Sequence, residues 1–280
     1  MKKISISKCV RGISTGILVT ALSLMAGTVN TQAEPVKEGE NCVIPLAKEV
    51  KLDMVWIKPG TFMMGSPKDE LGRFDNETQH EVTLTKGYWL GKYEVTQEQY
   101  KAIMGKNPSE FVGDNLPVEQ VSWDEAMEFC KKLTEVEKES GRLPSGYEYT
   151  LPTEAQWEYA CRARTTTAFN NGTNIPTEDQ RWKEPCPNLD PLAWYWYNSN
   201  STTHPVGQKR PNNWGIYDMH GNVWEWCLDW CPGGSSRVVR GGSWDDYAHA
   251  VSCRSANRID RDPSYNGSNI GFRVALVPVK

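Results

Sequence analysis

Alternating hydrophobic and polar positions define the first ordered part of the chain, from about residue 51. The segments DMVWIKPGTFMMGS, which starts at Asp53, and HEVTLTKGYWLGKYEVT, which starts at His80, both follow the two-residue period of β-strands. The turn Lys58–Gly60 divides the first segment into two short strands. The pattern therefore predicts several short strands near the start of the domain.

Three helix starts follow, and each carries a capping box, in which a Ser or Thr caps the first turn and a Glu or Gln reaches back. The boxes are Thr96–Gln99, Ser122–Glu125 and Thr153–Gln156. Hydrophobic residues at helical spacing then predict buried faces on the second and third helices. These faces consist of Trp123, Ala126, Met127, Cys130 and Leu133 on the second helix, and of Trp157, Ala160 and Cys161 on the third.

Beyond residue 165 the regular period disappears, and segments rich in Asn, Thr, Gly and Pro alternate with aromatic residues. Aromatic anchors in such segments are typical of packed loops rather than of a linker. The sequence therefore predicts one loop-rich α+β domain over residues 51–280, with few helices and short strands, preceded by a polar leader over residues 34–50.

The N-terminus has the pattern of a secretory signal, with basic residues, the apolar run GILVTALSLMAG and small residues up to Ala33. We therefore expect residues 1–33 to be a signal peptide and the protein to be periplasmic or extracellular. The apolar run is shorter than the roughly 20 residues of a membrane span. The formal net charge of −4 gives no reason to expect nucleic-acid binding.

Export makes disulfides the expected state of cysteine. Seven cysteines follow the signal, and an odd number leaves at least one thiol unpaired within the chain. The sequence alone leaves the pairing of four of them open: Cys42, Cys186, Cys227 and Cys231.

The segment GIYDMHGNVWEWCLDWC contains the densest candidate chemistry. Asp218 and Glu225 flank a Gly-Asn turn, and a mixture of carboxylate and backbone oxygens is what calcium prefers. The alternative is a surface turn whose carboxylates accept hydrogen bonds from backbone amides. Asp246 and His249 are three residues apart and would share a metal only if that segment were helical.

A series of motifs resembles the formylglycine-generating enzyme, or sulfatase-modifying factor, family. The motifs are MVWIKPGTFMMGS, YEVTQEQY, PVEQVSWDEAMEFC, LPTEAQWEYACR, GIYDMHGNVWEW, RVVRGGSW, CRSANR and NIGFRVAL. The resemblance implies a variant of the C-type lectin fold that often carries calcium. Some members are copper-dependent oxidases that act on a sulfatase cysteine, and others are similar to ergothioneine-biosynthesis and pyoverdine-maturation enzymes.

The resemblance also implies roles for individual residues. It places the family's calcium ligands on Asp218 and Glu225, with the carbonyls of Gly221 and Val223, and a disulfide between Cys161 and Cys253. Cys130 is expected to be a free, buried thiol. Trp224 and Ser243 correspond to residues that flank the family's active site.

The family's copper-binding cysteine pair is missing. The first of the two cysteines corresponds to Asp246, and the segment from Trp244 to Ser252 contains no cysteine. Because Cu(I) requires soft ligands such as thiolates, the resemblance here does not imply peptidyl-cysteine oxidase activity.

The segments DDYAHAVS and IDRDPSYNGSN lie where the family builds its substrate surface. Their short polar and aromatic residues make adaptable contacts. The stretch GGSW…CRSANR…P…GFRV also resembles the variable region of retroelement-diversified lectin-type proteins. We expect a surface for a protein or small-molecule ligand after Gly242, formed by Trp244, Asp245, Asp246, Tyr247, His249, Asp260 and Tyr265.

The sequence therefore favours an exported binding protein on a calcium-stabilised scaffold. Two alternatives remain. One is an iron- or copper-dependent oxidoreductase or protein-maturation enzyme of the same family, including formylglycine generation, with ligands for instance around Asp246 and His249. The other is an accessory factor beside an envelope complex. The oligomeric state is not determined by the sequence.

Overall fold

The computed structural model describes residues 36–246 and 249–279, which belong to one compact unit. The predicted signal segment 1–33 and Tyr247 lie outside these residues. The strands, numbered in chain order, are β1 (Cys42–Pro45), β2 (Lys51–Ile57), β3 (Gly60–Met64), β4 (His80–Leu84), β5 (Tyr88–Gly91), β6 (Tyr147–Thr150), β7 (Trp224–Trp230), β8 (Arg237–Arg240), β9 (Arg258–Arg261), β10 (Ile270–Gly271) and β11 (Ala275–Pro278). The helices are α1 (Gln97–Met104), α2 (Trp123–Glu139), α3 (Glu154–Arg162) and α4 (Glu178–Trp182).

Three sheets organise the described residues. The largest is antiparallel, has the order β1-β2-β5-β11-β6, and joins the C-terminal strand to strands from the first half of the chain. A second sheet has the order β10-β7-β8-β9, and β3 pairs with β4 in a third. The strands predicted on either side of Lys58–Gly60 are therefore confirmed, although β2 and β3 belong to different sheets.

The three predicted capping boxes are confirmed. Thr96, Ser122 and Thr153 each accept a hydrogen bond from the backbone three residues later, and the Gln or Glu at that position accepts one in return. The predicted faces of α2 and α3 are buried or packed against the core. Local sequence therefore determines these helices, because each cap and each apolar face lies within a few turns of chain.

Two predictions about the chain's organisation need correction. The predicted polar leader contributes β1, which pairs with β2, so the ordered domain begins before residue 51. The region beyond residue 165 contains five strands, which the sequence pattern did not reveal. Residues Trp224–Cys227 of β7 and all of β8 are buried, so hydrophobic and polar positions do not alternate there.

Buried arginines join segments that are distant in the chain. Arg240 pairs with Glu154 and Glu158 of α3, and Arg254 pairs with Glu70 and Glu77. All of these contacts are buried and hydrogen-bonded, which is the condition under which buried charges are tolerated. They fix the loops to α3 and the sheets. Within residues 36–246 and 249–279, no helix combines the length and the apolar character that a membrane span requires.

Candidate functional site

Asp218 is the first residue of the predicted calcium turn. Its backbone is left-handed, with φ of 59°, and its Oδ2 accepts a hydrogen bond from the Gly207 amide at 2.7 Å. Its Oδ1 is buried and has no hydrogen-bond partner among the described residues. Burial raises the pKa of Asp218 to about 6. A buried carboxylate oxygen without a partner is what a cation ligand would look like before the cation is bound.

Glu225, the second predicted ligand, already holds a buried cation. Both of its oxygens accept hydrogen bonds at 2.6 Å from the Arg273 guanidinium, and Oε2 also accepts one from the Trp157 indole at 2.7 Å. Such a bidentate pair is strong and geometrically specific. A calcium ion at this turn would therefore share Glu225 with Arg273.

Glu94 is a third carboxylate in this group, which the sequence analysis did not identify. It accepts hydrogen bonds from the Asn222 side chain at 2.7 Å and from the Val223 amide at 3.1 Å. Burial raises the pKa of Glu94 well above its usual value, and the nearby charges of Asp218 and Glu225 raise it further. Three buried carboxyl groups therefore lie near the Arg273 guanidinium, and carboxyl oxygens are ligands that calcium prefers.

Gly221 allows the turn to pack closely. A Cβ at this position would lie 2.3 Å from the Trp194 carbonyl oxygen, which only glycine permits. The described residues contain no group of three or more His, Cys, Asp or Glu side chains arranged to hold a metal. A calcium ion therefore needs backbone oxygens such as those predicted at Gly221 and Val223.

The loop after Gly242 is held by its own carboxylates. Asp246 accepts hydrogen bonds from the Ser243 amide at 2.8 Å and from the Ser243 hydroxyl at 2.9 Å. Asp245 accepts hydrogen bonds from the Asn269 side chain at 3.1 and 3.2 Å. Burial raises the pKa of Asp246 to about 6. These two carboxylates therefore shape the loop, in addition to any contact they make with a ligand.

Trp244 lies at the centre of the predicted surface. Its indole donates a hydrogen bond to the Ser268 carbonyl at 3.0 Å, and its ring packs edge-on against Phe111 at 5.3 Å. The Ser199 hydroxyl donates to the Trp244 carbonyl at 2.9 Å. Three loops that are distant in sequence therefore meet at Trp244. Trp224, by contrast, is buried in β7.

His249 lies in the same loop, and its ring contacts two aromatic side chains. Its ring lies 4.9 Å from that of Tyr197 and 5.9 Å from that of Trp196. Burial lowers the pKa of His249, so the ring is neutral at pH 7. Its amide donates to the Asp246 carbonyl at 2.9 Å, and a short 3-10 turn follows at His249–Val251.

The two remaining predicted surface residues differ in position. Tyr265 is 37% exposed, and its loop contacts Trp244 and Asp245 through Ser268 and Asn269. Asp260 is exposed on β9, opposite Val238. No described hydrogen bond or ring contact joins Asp260 to the loop after Gly242. The structure therefore joins Trp244 and Asp245 to the loop of Tyr265, connects His249 to this loop through the Asp246 backbone, and leaves Asp260 outside this group.

The predicted disulfide between Cys161 and Cys253 is not formed in the structure, in which both residues are free, buried thiols. Cys161 packs in a cluster with Trp157, whereas Cys253 belongs to another cluster and packs against Gly242. Burial raises the pKa of Cys161 to about 12. Cys130 is buried in the core beside α2 residues such as Leu133, and its free state stays a prediction.

His220 contacts the Cys161 thiol and the Cys253 carbonyl, and its tautomer follows from its contacts. Its Nδ1 donates to the Cys253 carbonyl at 2.7 Å, and its Nε2 accepts from the Asn170 amide at 3.1 Å. Burial lowers the pKa of His220 to about 4, so it is neutral. Both His220 nitrogens are hydrogen-bonded and the Cys161 thiol is protonated. His220 and Cys161 are therefore packed core residues and not a nucleophile with its base.

Comparison with known proteins places this geometry in a family. A chaperone protein, LppX from Paenibacillus barcinonensis, is 33% identical over 271 residues that cover 79% of this chain and 88% of that protein. The formylglycine-generating enzyme of Mus musculus is 29% identical over 215 residues, covering 70% of this chain and 53% of the mouse protein. The chain thus spans about half of that enzyme's length.

Among solved structures, Treponema denticola variable protein 1 superimposes with a TM-score of 0.71 and 31% identity, covering 84% of this chain and 98% of that one. This likeness confirms the predicted loop-rich α+β fold. The model of the sulfatase-modifying factor enzyme 1-like domain matches residues 43–277. The chain therefore belongs to the formylglycine-generating enzyme family of sulfatase-modifying factor enzyme 1-like domains.

Proposed function

We propose that this protein is an exported binding module that engages a protein partner and has no peptidyl-cysteine oxidase activity. The observation that carries the proposal is the aromatic surface around Trp244. We call this the Trp244 surface and define it by Phe111, Trp196, Trp244, His249 and Tyr265. Aromatic residues are enriched at protein interfaces and supply much of their binding energy.

Exposure supports a protein as the partner. Next to Phe111, Val112 is 81% exposed, and Trp196 and Tyr265 are 38% and 37% exposed. Hydrogen bonds to Trp244 and Asp245 fix the loops of Trp196 and Tyr265, and the ring of Phe111, beside Val112, packs on Trp244, so little ordering is needed on binding. A preformed, partly apolar surface of this kind suits another folded or partly folded chain.

The thiol chemistry of the family's oxidases has no counterpart in this loop. Asp246 occupies the first copper-thiolate position and is hydrogen-bonded to Ser243. The nearest thiol in sequence, Cys253, is buried, and burial raises its pKa well above the usual value. A protonated, buried thiol is a poor ligand for Cu(I) and a poor nucleophile.

The names of two similar proteins agree with a binding role. One similar protein is called a chaperone and another a variable protein. Together with the secretory pattern of residues 1–33, this favours a partner that is itself exported, so that the protein acts as an accessory factor outside the cytoplasm.

We further propose that calcium stabilises the scaffold through Asp218, Glu225 and the carbonyls of Gly221 and Val223. The unpartnered Asp218 Oδ1 and the buried carboxyl groups near Arg273 fit a divalent cation. Bound calcium would supply positive charge that Arg273 alone does not. Asn222, whose side chain donates to Glu94, lies in the same turn, and its carbonyl accepts from the Trp244 amide at 2.9 Å. The calcium turn thus supports the Trp244 surface.

Site-specific photo-crosslinking in the cells that produce the protein tests the binding role. A photoreactive phenylalanine at Val112 or at Tyr265 is expected to give the same dominant protein adduct, which Trp244→Ala abolishes. The control places the same group at Lys131, an exposed residue of α2. Equal adducts from Lys131, or none from Val112 and Tyr265, would contradict the proposal.

A second assay tests the absence of oxidase activity. Purified protein is incubated with copper, oxygen and a cysteine-containing sulfatase peptide, and the aldehyde product is measured by mass spectrometry. We expect no aldehyde above the protein-free control. Turnover of the peptide would overturn this part of the proposal.

A further inference from the structure

A cavity elsewhere in the molecule shares no residue with the Trp244 surface. Its volume is about 640 Å³, within the roughly 300–1,000 Å³ of small-molecule sites. We call it the Trp214 cleft, and it is lined by Asn41, Val55, Trp56, Lys58, Pro59, Tyr159, Ala163, Arg164, Asn213 and Trp214. Three aromatic rings and two cations face this space, and none of its lining residues is acidic.

The aromatic walls are fixed by close packing. The Tyr159 and Trp214 rings meet edge to face, with their centroids 4.9 Å apart. Gly60 makes room for the Tyr159 hydroxyl, since a Cβ there would lie 2.2 Å from that oxygen. The Trp56 amide donates to the Asn41 side chain at 2.9 Å. The rings therefore keep their positions without a ligand.

Buried Asn212 fixes the loop that carries Trp214. Its side-chain nitrogen donates to the Ala160 carbonyl at 2.7 Å, and its oxygen accepts from the Trp214 amide at 2.9 Å. One side chain thus joins the end of α3 to the opposite wall of the cleft. Preorganisation of this kind lowers the entropic cost of binding.

The two cations of the cleft lack acidic partners. Lys58 and Arg164 are exposed, and neither forms an ion pair with any carboxylate of residues 36–246 and 249–279. The Tyr159 hydroxyl, beside Arg164, has no hydrogen-bond partner among the same residues. Two cations and one hydroxyl are therefore available to a ligand, and the positive charge favours an anion.

The backbone that presents Arg164 is strained. Ala163 and Arg164 have φ of 43° and 80°, although neither is glycine. Ala163 is the left-handed C-cap that ends α3, and its amide donates to the Tyr159 carbonyl. The conformation turns the chain at the end of α3, where Arg164 lines the same cleft as Tyr159.

We propose that the Trp214 cleft binds a small organic anion with a flat apolar face, such as a ring that carries a carboxylate or a sulfonate. The ring would lie against Trp214, Tyr159 and Trp56, which bury apolar surface. The anionic group would pair with Lys58 and Arg164, whose guanidinium suits bidentate recognition. This site is independent of the Trp244 surface.

Calorimetric titration with 2-naphthalenesulfonate tests the proposal, and the uncharged 2-naphthalenesulfonamide is the matched control. Because a solvent-exposed charge pair contributes up to about 1 kcal/mol, Lys58→Gln and Arg164→Asn are each expected to weaken sulfonate binding roughly fivefold. Asn tolerates left-handed backbone, so the loop conformation is retained. The sulfonamide is expected to bind roughly twentyfold more weakly than the sulfonate.

Trp214→Leu tests the aromatic wall, and Lys131→Gln is the control for general loss of positive charge. Thermal unfolding of each variant identifies any that has lost the fold. Saturable sulfonate binding that Lys58→Gln, Arg164→Asn and Trp214→Leu weaken, and that Lys131→Gln leaves unchanged, would support the site. Equal affinity for the sulfonamide, equal loss with Lys131→Gln, or no binding at millimolar sulfonate would overturn it.

Discussion

The buried histidine His220 makes a specific prediction about stability and pH. Its ring is fully buried, with Nδ1 donating to Cys253 and Nε2 accepting from Asn170. Protonation would place a second N–H against the Asn170 amide and leave a charge without a carboxylate partner. The folded protein therefore keeps this ring neutral, whereas the unfolded chain protonates it at its ordinary pKa.

The size of the effect follows from the two pKa values. Burial lowers the pKa of His220 from 6.5 to about 4, a difference of about 2.5 units, or about 3 kcal/mol. Because the folded pKa is depressed, the unfolded state binds more protons between these values. The stabilisation is complete above pH 6.5 and is lost as the pH falls to 4, with a slope of about 1.4 kcal/mol per pH unit.

Urea denaturation of the wild type and of His220→Gln measures this contribution. Glutamine can donate and accept hydrogen bonds but does not titrate, so the variant is expected to be less stable at pH 7.5. The difference in unfolding free energy between the two proteins is expected to shrink, and then reverse, between pH 6.5 and 4. The comparison is made in calcium-free buffer at constant ionic strength.

The unfolding free energy of the variant must be subtracted from that of the wild type, because buried carboxylates change stability with pH in the opposite direction to His220. The pKa values of Asp218 and Asp246 are raised to about 6, so the folded state binds their protons first and gains stability as the pH falls from about 6 to 3.8. A pH-independent difference between wild type and His220→Gln would show that His220 is solvated or paired, and would refute the reasoning.

Three further predictions concern the buried groups. Glu225→Gln is expected to destabilise the protein by about 3–5 kcal/mol in urea denaturation, because Arg273 stays buried without its carboxylate, and Arg273→Met in the same chain should recover part of the loss. Elemental mass spectrometry should find near-stoichiometric calcium, and stoichiometric copper or iron instead would contradict the proposed function. Chelation of calcium should lower the unfolding temperature of the wild type but not that of Asp218→Ala. Cys161 and Cys253 should resist alkylation until the protein unfolds, and peptide mapping that found them bridged would contradict the thiols of the structure.

Helices α1, α2 and α3 could be predicted because their signals are local, whereas α4 (Glu178–Trp182) lies in a region that the sequence pattern indicated to be loop. The capping boxes at Thr96, Ser122 and Thr153 and the apolar face of α2 each lie within a few residues. Strand β7 could not be predicted in this way, because its first four residues are buried on both faces. In the neighbouring strand β8, the buried Arg240 breaks the hydrophobic pattern that would indicate a strand. The carboxylates that pair with Arg240 lie on α3 and come close to it only in the folded protein.

The candidate site was only partly predictable for the same reason. The spacing of Asp218 and Glu225 predicted a calcium turn, which stays a prediction, but Glu94 and Arg273 come from distant parts of the chain and reach this turn through the fold. The short acids after Gly242 suggested adaptable contacts. In the structure Asp245 accepts hydrogen bonds from Asn269, and Asp246 accepts them from Ser243. A loop that encloses carboxylates must supply hydrogen-bond donors to them.

Buried ion pairs that hold the fold rigid, together with exposed loops, are consistent with the proposed binding role. The pairs Arg240–Glu158, Arg254–Glu77 and Arg273–Glu225 are almost fully buried and join segments far apart in the chain. Breaking such a pair leaves an uncompensated buried charge, so each pair opposes rearrangement of the frame. These buried pairs lie beneath the loops, and the exposed apolar side chains of Val112 and Tyr265 are not part of them. A surface free of that constraint can be adapted to a partner without loss of the fold, which is the property that a binding module requires.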